Sequence, residues 1–389
     1  MDKQTEVNNL NIADQALVKK INQELLLNQI LSHSPISRAK LSEITGLNKS
    51  TVSAQVNTLI EKQLIFEIGQ GQSRGGRKPV MLVFNKNAGY SIGLDLGVDY
   101  INGILTDLEG NILQDCYHDL NELAPEKALE ILFSIIKGFL NQLPDSPYGL
   151  TGIGVCVPGL VDNNHIVFTP NSYWSQFELQ SLLQQEFNVP IFIENEANAG
   201  AYGEKKFGSA SNFNNLIYVS ISTGIGVGII INNELYKGIN GFSGEMGHMT
   251  IDFNGPKCSC GNRGCWELYA SEKALFKSLK HRVSYQEITN LVQQNDVDTL
   301  SSLQNFGFNL GIGLTSILNT FNTEAVILRN HIIETQPIVL NSIKNTVSSR
   351  VYPQLNYQYE LIVSSLGKNA PALGASSIVI ENFLDIVKV

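Results

Sequence analysis

Residues 247–267 read GHMTIDFNGPKCSCGNRGCWE, which places three of the chain's five cysteines within eight residues and His248 ten positions before the first of them. His248, Cys258, Cys260 and Cys265 form the pattern H-x9-C-x-C-x4-C. Three thiolates and one imidazole suit tetrahedral Zn²⁺. Four protein ligands close the shell and leave no position for water, so such an ion would be structural: it would hold a loop in shape without activating a nucleophile. Gly255-Pro256, Gly261 and Gly264 permit the sharp reversals that converge the sulfurs. Unmetallated or redox thiols are the other reading, and the dense spacing weighs against it. Glu245 lies three residues before His248, and Glu267 two residues after Cys265. The loop that would hold the metal therefore tethers two carboxylates beside it.

The rest of the chain has to position that loop. A length of 389 residues allows two or three domains, and 43% apolar residues supply a core. The net charge of −9 argues against binding nucleic acid along the whole chain. The charge is uneven: residues 1–90 carry 11 Lys and Arg against 7 Asp and Glu, and the remainder carries 16 against 29. A basic head on an acidic body points to an anionic partner for the head alone. The start lacks the apolar stretch of a signal peptide, and no apolar run reaches the roughly 18 residues of a membrane span, so no membrane partner is expected. Cys116 and Cys156 stand alone in apolar surroundings, as buried thiols do. Five cysteines, three of them clustered, fit a reducing, cytoplasmic compartment.

In the head, residues 1–85, ALVKKINQELLLNQILSHS reads as an amphipathic helix broken by Pro35. A short helix over 37–44 has Ser37 as its N-cap, Gly46 makes the turn, and Asn48 caps a third helix. On that helix Val52, Val56, Leu59 and Ile60 share one face, while Ser50, Ser53, Ala54 and Asn57 point away, small or polar enough to approach a base edge. A glycine-rich tip bearing Arg74, Arg77 and Lys78 then separates two apolar strands. This describes a winged helix-turn-helix. The expected contacts to double-stranded DNA are Lys49, Ser50, Ser53 and Asn57 from the helix and Arg74, Arg77 and Lys78 from the wing. A small protein-binding module with a solvated basic loop would share some of these features, but turn chemistry, helix faces and wing charge agree on DNA.

The body alternates strands and helices. Residues 91–113 read as a β-hairpin turning at Glu109-Gly110, 150–157 as a buried strand, 189–208 as a strand running into a helix, and 216–238 as a second hairpin with a glycine turn. Helices follow over 304–320 and about 371–386. Two such halves make an α/β, actin-like, hexokinase-type pair of lobes around a cleft. Lobe one is expected over about 86–200 plus 371–389, and lobe two over about 201–370 with the metal loop at 248–267.

Asp95-Leu-Gly97, Pro158-Gly159 with Pro170-Asn171, Glu194-Asn195-Glu196-Ala-Asn198-Ala, Thr223-Gly-Ile-Gly-Val-Gly228, the cysteine loop and Ala-Leu-Gly-Ala over 372–375 occur in this order. In this the body resembles the ROK family, and with its winged head the chain resembles the family's repressors. The resemblance implies a sugar pocket lined by Asn171, Asn195, Glu196, Glu245, His248 and Glu267, with Zn²⁺ in the loop. It further implies a homodimer on a palindromic operator and a free sugar that releases it, with xylose favoured. Glucose, N-acetylglucosamine and a phosphorylated sugar remain alternatives.

The family's kinases cradle phosphate in Asp-x-Gly-x-Thr and use an aspartate base in Asn-Asp-Ala-Asn. Here Asp99 stands at the threonine position, with Tyr100 beside it, and Glu196 stands at the base position. A carboxylate about 4 Å from a phosphate charge costs roughly 4 kcal/mol at an effective dielectric near 20. A sugar sensor built on a kinase scaffold, without catalysis, is therefore expected. A sugar kinase with a regulatory head and a regulator controlled by a protein partner, such as a phosphotransferase component, are the competing readings.

Overall fold

The computed structural model describes residues 3–70, 79–120, 123–169, 173–279, 284–356 and 358–387. Helix α1 (Lys3–His33) stops before Pro35 and buries Leu26, Leu27 and Ile30. Strand β1 (Ile36–Ser37) leads into α2 (Arg38–Thr45), where the Ser37 hydroxyl accepts from the Lys40 amide at 3.2 Å. Gly46 ends α2 at φ 73°, the left-handed conformation a glycine adopts without penalty. Asn48 caps α3 (Lys49–Glu61) by accepting from the Thr51 amide at 2.8 Å. Val52, Val56 and Leu59 turn inward from α3, as their spacing requires. Strands β2 (Ile65–Gln70) and β3 (Val80–Phe84) pair antiparallel as the flanks of the wing. β1 adds a third strand along the free edge of β3, a pairing too short to read from sequence.

The first lobe holds β4 (Tyr90–Leu96), β5 (Tyr100–Asp107), β6 (Ile112–Asp119), α4 (Pro125–Asn141), β7 (Leu150–Val157), β8 (Leu160–Asp162), β9 (His165–Phe168), α5 (Leu179–Phe187) and β10 (Ile191–Asn195). Its five-stranded sheet runs β10-β7-β4-β5-β6, and β8 and β9 form a separate ribbon. The single hairpin expected over 91–113 is in fact parts of three strands. The chain also reverses at residues 97–99, Gly-Val-Asp, whereas the Asn102-Gly103 pair just beyond lies inside β5 and marks no turn.

The second lobe follows α6 (Glu196–Phe207) with β11 (Leu216–Ile221), β12 (Ile225–Ile231), β13 (Glu234–Leu235), α7 (Glu267–Ala270), α8 (Glu272–Ser278), α9 (Tyr285–Gln293), α10 (Val297–Phe321), β14 (Ala325–Arg329), α11 (His331–Thr335), α12 (Pro337–Arg350) and β15 (Glu360–Val363). Its sheet runs β13-β12-β11-β14-β15. The pattern repeats that of the first sheet: a strand with an antiparallel neighbour on one side and a parallel one on the other. Helix α10 starts earlier than residue 304 because Asp296 caps it, its carboxylate accepting from the Thr299 amide at 2.8 Å.

Helix α13 (Ala370–Val387) lies on the first sheet, α6 lies against β11 and β12, and the two helices pack on each other. Glycines let the backbones touch. A Cβ on Gly374 would sit 1.7 Å from the Ala199 carbonyl oxygen, one on Gly203 2.3 Å from that of Ala370, and one on Gly154 2.1 Å from that of Ala375. The far end of α13 reaches the head, where Ile380 and Leu384 join Leu26, Leu64 and Phe84 in one apolar cluster. The Tyr148 hydroxyl, on the body, donates to the Lys62 carbonyl, on the head, at 2.9 Å. One helix therefore touches the interlobe packing and the DNA-binding module. No helix among the described residues is long and apolar enough to cross a membrane.

Candidate functional site

The cysteine loop is built to converge its side chains. Isolated bridges pair Thr250 with Cys265 and Lys257 with Arg263, and Gly261 and Gly264 turn the chain at φ 94° and 64°. A Cβ on Gly264 would meet the Asp252 carbonyl oxygen at 1.6 Å, so only glycine fits there. Trp266 anchors the loop: it is fully buried, its indole N–H donates to the Asn309 carbonyl at 2.8 Å, and its ring rests on Gly313 of α10. The ligand atoms of His248, Cys258, Cys260 and Cys265 all lie within 4.8 Å of one another. Cys260 Sγ stands 3.7 Å from Cys265 Sγ, and Cys258 Sγ 3.7 Å from His248 Nδ1. The four residues form a cluster that could hold a metal ion.

Both tethered carboxylates lie beside His248. Glu267 Oε1 is 3.4 Å from Nδ1, and Glu245 Oε2 is 3.9 Å from Nε2. Burial raises the Glu245 carboxyl above its ordinary range, with Glu267 adding to the rise and His248 opposing it. The other Glu267 oxygen lies against the second glycine turn, 3.0 Å from where a Cβ on Gly224 would stand. Glu196 Oε2 approaches the same turn, 3.7 Å from the corresponding point on Gly226. Carboxylates from the cysteine loop and from the start of α6 thus lie against residues 224–226.

Asn195 is largely committed to structure. Its Oδ1 caps α6, accepting from the Ala197 and Asn198 amides at 2.9 and 3.0 Å, and its Nδ2 donates to the Gly159 carbonyl at 2.7 Å. That bond ties the Pro158-Gly159 turn to the strand-to-helix junction. Asn171 lies outside the described residues.

A cavity of about 530 Å³ opens between the lobes, with Gly97, Asp99, Tyr100, Glu196, Thr223 and Arg329 among its walls. The Tyr100 ring lies on the first glycine turn, 2.2 Å from where a Cβ on Gly97 would stand. The Tyr100 hydroxyl donates to Asp95 Oδ2 at 2.8 Å, and its ring stacks on Tyr117 with centroids 5.4 Å apart. Asp95 is fully buried, and its carboxyl is pushed up to about 7, first by desolvation and then by the neighbouring Glu196 charge. Arg329, at the end of β14, opposes that rise; its Nη1 donates to Glu196 Oε1 at 3.1 Å and to Ser220 Oγ at 3.2 Å. Arg329 and Ser220 were not anticipated from sequence. The available signal was a lone arginine closing the apolar run AVILR.

In the head, Lys49, Ser50 and Asn57 are exposed and Ser53 is half-buried, all on the side of α3 turned away from Val52, Val56 and Leu59. The Ser50 hydroxyl donates to Asn48 Oδ1 at 2.6 Å, and Arg38 Nη2 donates to Asn57 Oδ1 at 2.9 Å. Arg38 also pairs with Glu67 on β2, so it ties α2, α3 and the wing together. Sequence reasoning missed this link. Arg74, Arg77 and Lys78 fall outside the described residues.

Residues 91–382 match the ROK family, and residues 20–65 match winged helix-turn-helix DNA-binding domains. This chain belongs to the ROK family. The xylose repressor of Bacillus spizizenii is 71% identical over 383 residues, covering 97% of this chain and 100% of that protein. Among solved ROK structures, a transcriptional regulator homologous to the Escherichia coli MLC protein superposes with a TM-score of 0.81 at 26% identity, covering 95% of this chain and 98% of its own. A ROK glucokinase from Streptomyces griseus, in complex with glucose and AMPPNP, superposes with a TM-score of 0.67 at 26% identity, covering 75% and 99%. The kinase thus covers three quarters of this chain, whereas the regulator covers nearly all of it.

Proposed function

We propose that this protein is a sugar-responsive transcriptional repressor, bound as a homodimer to a palindromic operator and released by free xylose. The observation that carries the reading is the contrast within the cleft: acceptors gather at the second glycine turn, while Tyr100 covers the first. A phosphate seeking the Gly97 backbone would meet the Tyr100 ring, with the Asp99 carboxylate also in the cavity wall. The sugar half of a kinase site is kept and the phosphate half is filled. The close identity to a xylose repressor and the winged head support the sugar and the DNA partner.

The loop's donor set fits structural zinc. Tetrahedral bonds of about 2.3 Å place sulfurs about 3.8 Å apart, against 3.7 Å between Cys260 and Cys265. Zn²⁺ bound to His248, Cys258, Cys260 and Cys265 would supply fixed loop geometry. Glu245, Glu267 and Glu196 then present acceptors on rigid backbone, and zinc-bound His248 would present the N–H of its other ring nitrogen; the acceptors discriminate hydroxyl positions because an unmatched buried carboxylate is costly. Asn195 holds the neighbouring turn, and Asn171 completes the assignment. Sugar closure is relayed from Glu196 along α6 to α13, whose backbones meet at Gly374 and Gly203, and on to the head through Ile380 and Leu384. On DNA, Lys49, Ser50, Ser53 and Asn57 face the major groove, and Arg74, Arg77 and Lys78 face the backbone or minor groove.

The test is a thermal-shift screen of the full chain with pentoses, hexoses and ATP with Mg²⁺, repeated on Glu245→Ala. Xylose at a hundredfold excess over Kd stabilises the wild type by about 2.7 kcal/mol, and the variant loses the response. The same sugar releases an operator duplex. ADP formation with ordinary turnover would make the protein a kinase instead, and a xylose response unchanged in Glu245→Ala would move the pocket elsewhere.

A further inference from the structure

One buried cation in the cleft belongs neither to the metal centre nor to the DNA face. The Arg329 side chain is 14% exposed and its partner Glu196 12%. Arg329 Nη1 and the Ser220 hydroxyl both donate to one carboxylate oxygen, Glu196 Oε1, at 3.1 and 2.9 Å, and Nη1 also reaches Ser220 Oγ at 3.2 Å. The three residues close a triangle on Oε1. Among the described residues Oε2 makes no hydrogen bond, and it faces Gly226 in the second glycine turn. The carboxylate is thus pinned by one oxygen and free at the other. Asp95 lies close by, fully buried, and the same guanidinium opposes its negative charge.

A free glutamate side chain must be ordered when it grips a ligand, and that ordering weakens binding. A guanidinium already bonded to it removes this cost, and its planar fork loses little freedom in doing so. It also keeps a cation beside the negative groups that gather at the cleft.

We propose that Arg329 is a positioning residue of the sugar pocket: by holding Glu196 Oε1, it aims Oε2 at a sugar hydroxyl and commits Glu196 to accepting a hydrogen bond instead of removing a proton. This rests on the sugar-repressor reading above. In this assignment Arg329 acts through Glu196, whose Oε1 it holds, and a double-mutant cycle separates that effect from one of its own.

The experiment is a double-mutant cycle read by calorimetric titration of the metal-loaded full chain with xylose. Wild type, Arg329→Met, Arg329→Lys, Glu196→Gln and the Arg329→Met/Glu196→Gln double variant are compared, with circular dichroism and metal content confirming the fold of each. Arg329→Met weakens xylose binding by roughly tenfold to a hundredfold, the range expected for a lost charge-assisted hydrogen bond. Arg329→Lys recovers part of the loss. In the Glu196→Gln background the Met substitution adds less than about threefold, because the group it acts through is already altered. Should Arg329→Met fail to fold, Arg329→Lys with and without Glu196→Gln carries the same cycle, with the same non-additivity expected. Wild-type affinity in Arg329→Met, or an equal loss with and without Glu196→Gln, overturns the assignment. A wild type that binds no xylose overturns the sugar reading first. Binding weakened by Glu196→Gln but untouched at position 329 strikes this inference alone.

Discussion

The two lobes carry the same strand pattern, and each has a turn between its first two antiparallel strands: residues 97–99 in one, 222–224 in the other. The two turns differ in what covers them. At the first, the Tyr100 ring lies on Gly97, its hydroxyl bonded to the buried Asp95. At the second, no aromatic ring lies on Gly224 or Gly226: Glu267 lies against Gly224, and the Ala197 Cβ and Glu196 against Gly226. Topology supplies two equivalent cradles, and the residue just past each turn, Tyr100 or Ile225-Gly226, decides which is filled. Backbone likeness to a glucokinase therefore says little about activity, because the difference lies in side chains that the shared pattern does not specify.

The comparison can be pressed hardest at the cysteine loop, whose Glu267 lies against the second turn. Replacing Cys265 by Ser removes one ligand of the cluster, and metal content and xylose response should both be lost, with sugar affinity falling by about a hundredfold or more. Elemental analysis alongside calorimetry checks this, and a variant that still binds sugar normally would detach the loop from the pocket.

The second turn's strand is packed more tightly than its open rim suggests. A Cβ on Gly228 would lie 2.3 Å from the Ala197 carbonyl oxygen, so Gly228→Ala should cost about 3 kcal/mol of stability by urea titration. Gly224→Ala, which faces the Glu267 carboxylate at 3.0 Å, should spare stability and weaken the sugar response.

At the first turn, Tyr100→Phe removes the donor to Asp95 and should cost about 1–3 kcal/mol by the same titration, since it withdraws a partner from a buried polar group. Xylose binding should be little changed, which would separate the roles of the two turns.

The smallest effect concerns pH. The Asp95 carboxyl titrates at about 7 in the folded chain, above the ordinary carboxyl value near 4. Its neutral form therefore favours the fold. That contribution is complete below about pH 4 and fades as pH rises towards 7. Asp95→Asn, which cannot ionise, should flatten the fall in stability across that window, measured as the unfolding midpoint against pH.

Much of this protein was legible because its signals are local. Ser37, Gly46 and Asn48 cap and turn the helices of the head where their positions in sequence require, and Val52, Val56 and Leu59 face inward on a helical period. The two lobes followed from strand and helix order. The third strand of the wing is too short to read, and residues 95–100 are legible as a glycine turn but not as the reversal between two strands of the stretch 91–113. For the candidate site, the convergence of His248, Cys258, Cys260 and Cys265, with Glu267 beside His248, was readable from spacing. Asn195 was read as a pocket residue, yet its side chain mainly serves a cap and a turn, a commitment visible only once Gly159 is placed beside it.

By itself the sequence determined the donor set of the cysteine loop, the glycines that let it fold, the capped helices of the head and the separation of basic head from acidic body. These are fixed by residue type and short spacing, because ligand chemistry, φ preference and net charge act within one segment. Tertiary structure alone decided that Arg329 meets Glu196 across 133 positions of chain, that Tyr100 covers Gly97, and that one helix touches both the lobes and the head. Such contacts depend on how packed surfaces bring distant backbone within a few ångströms, and no local pattern carries that distance.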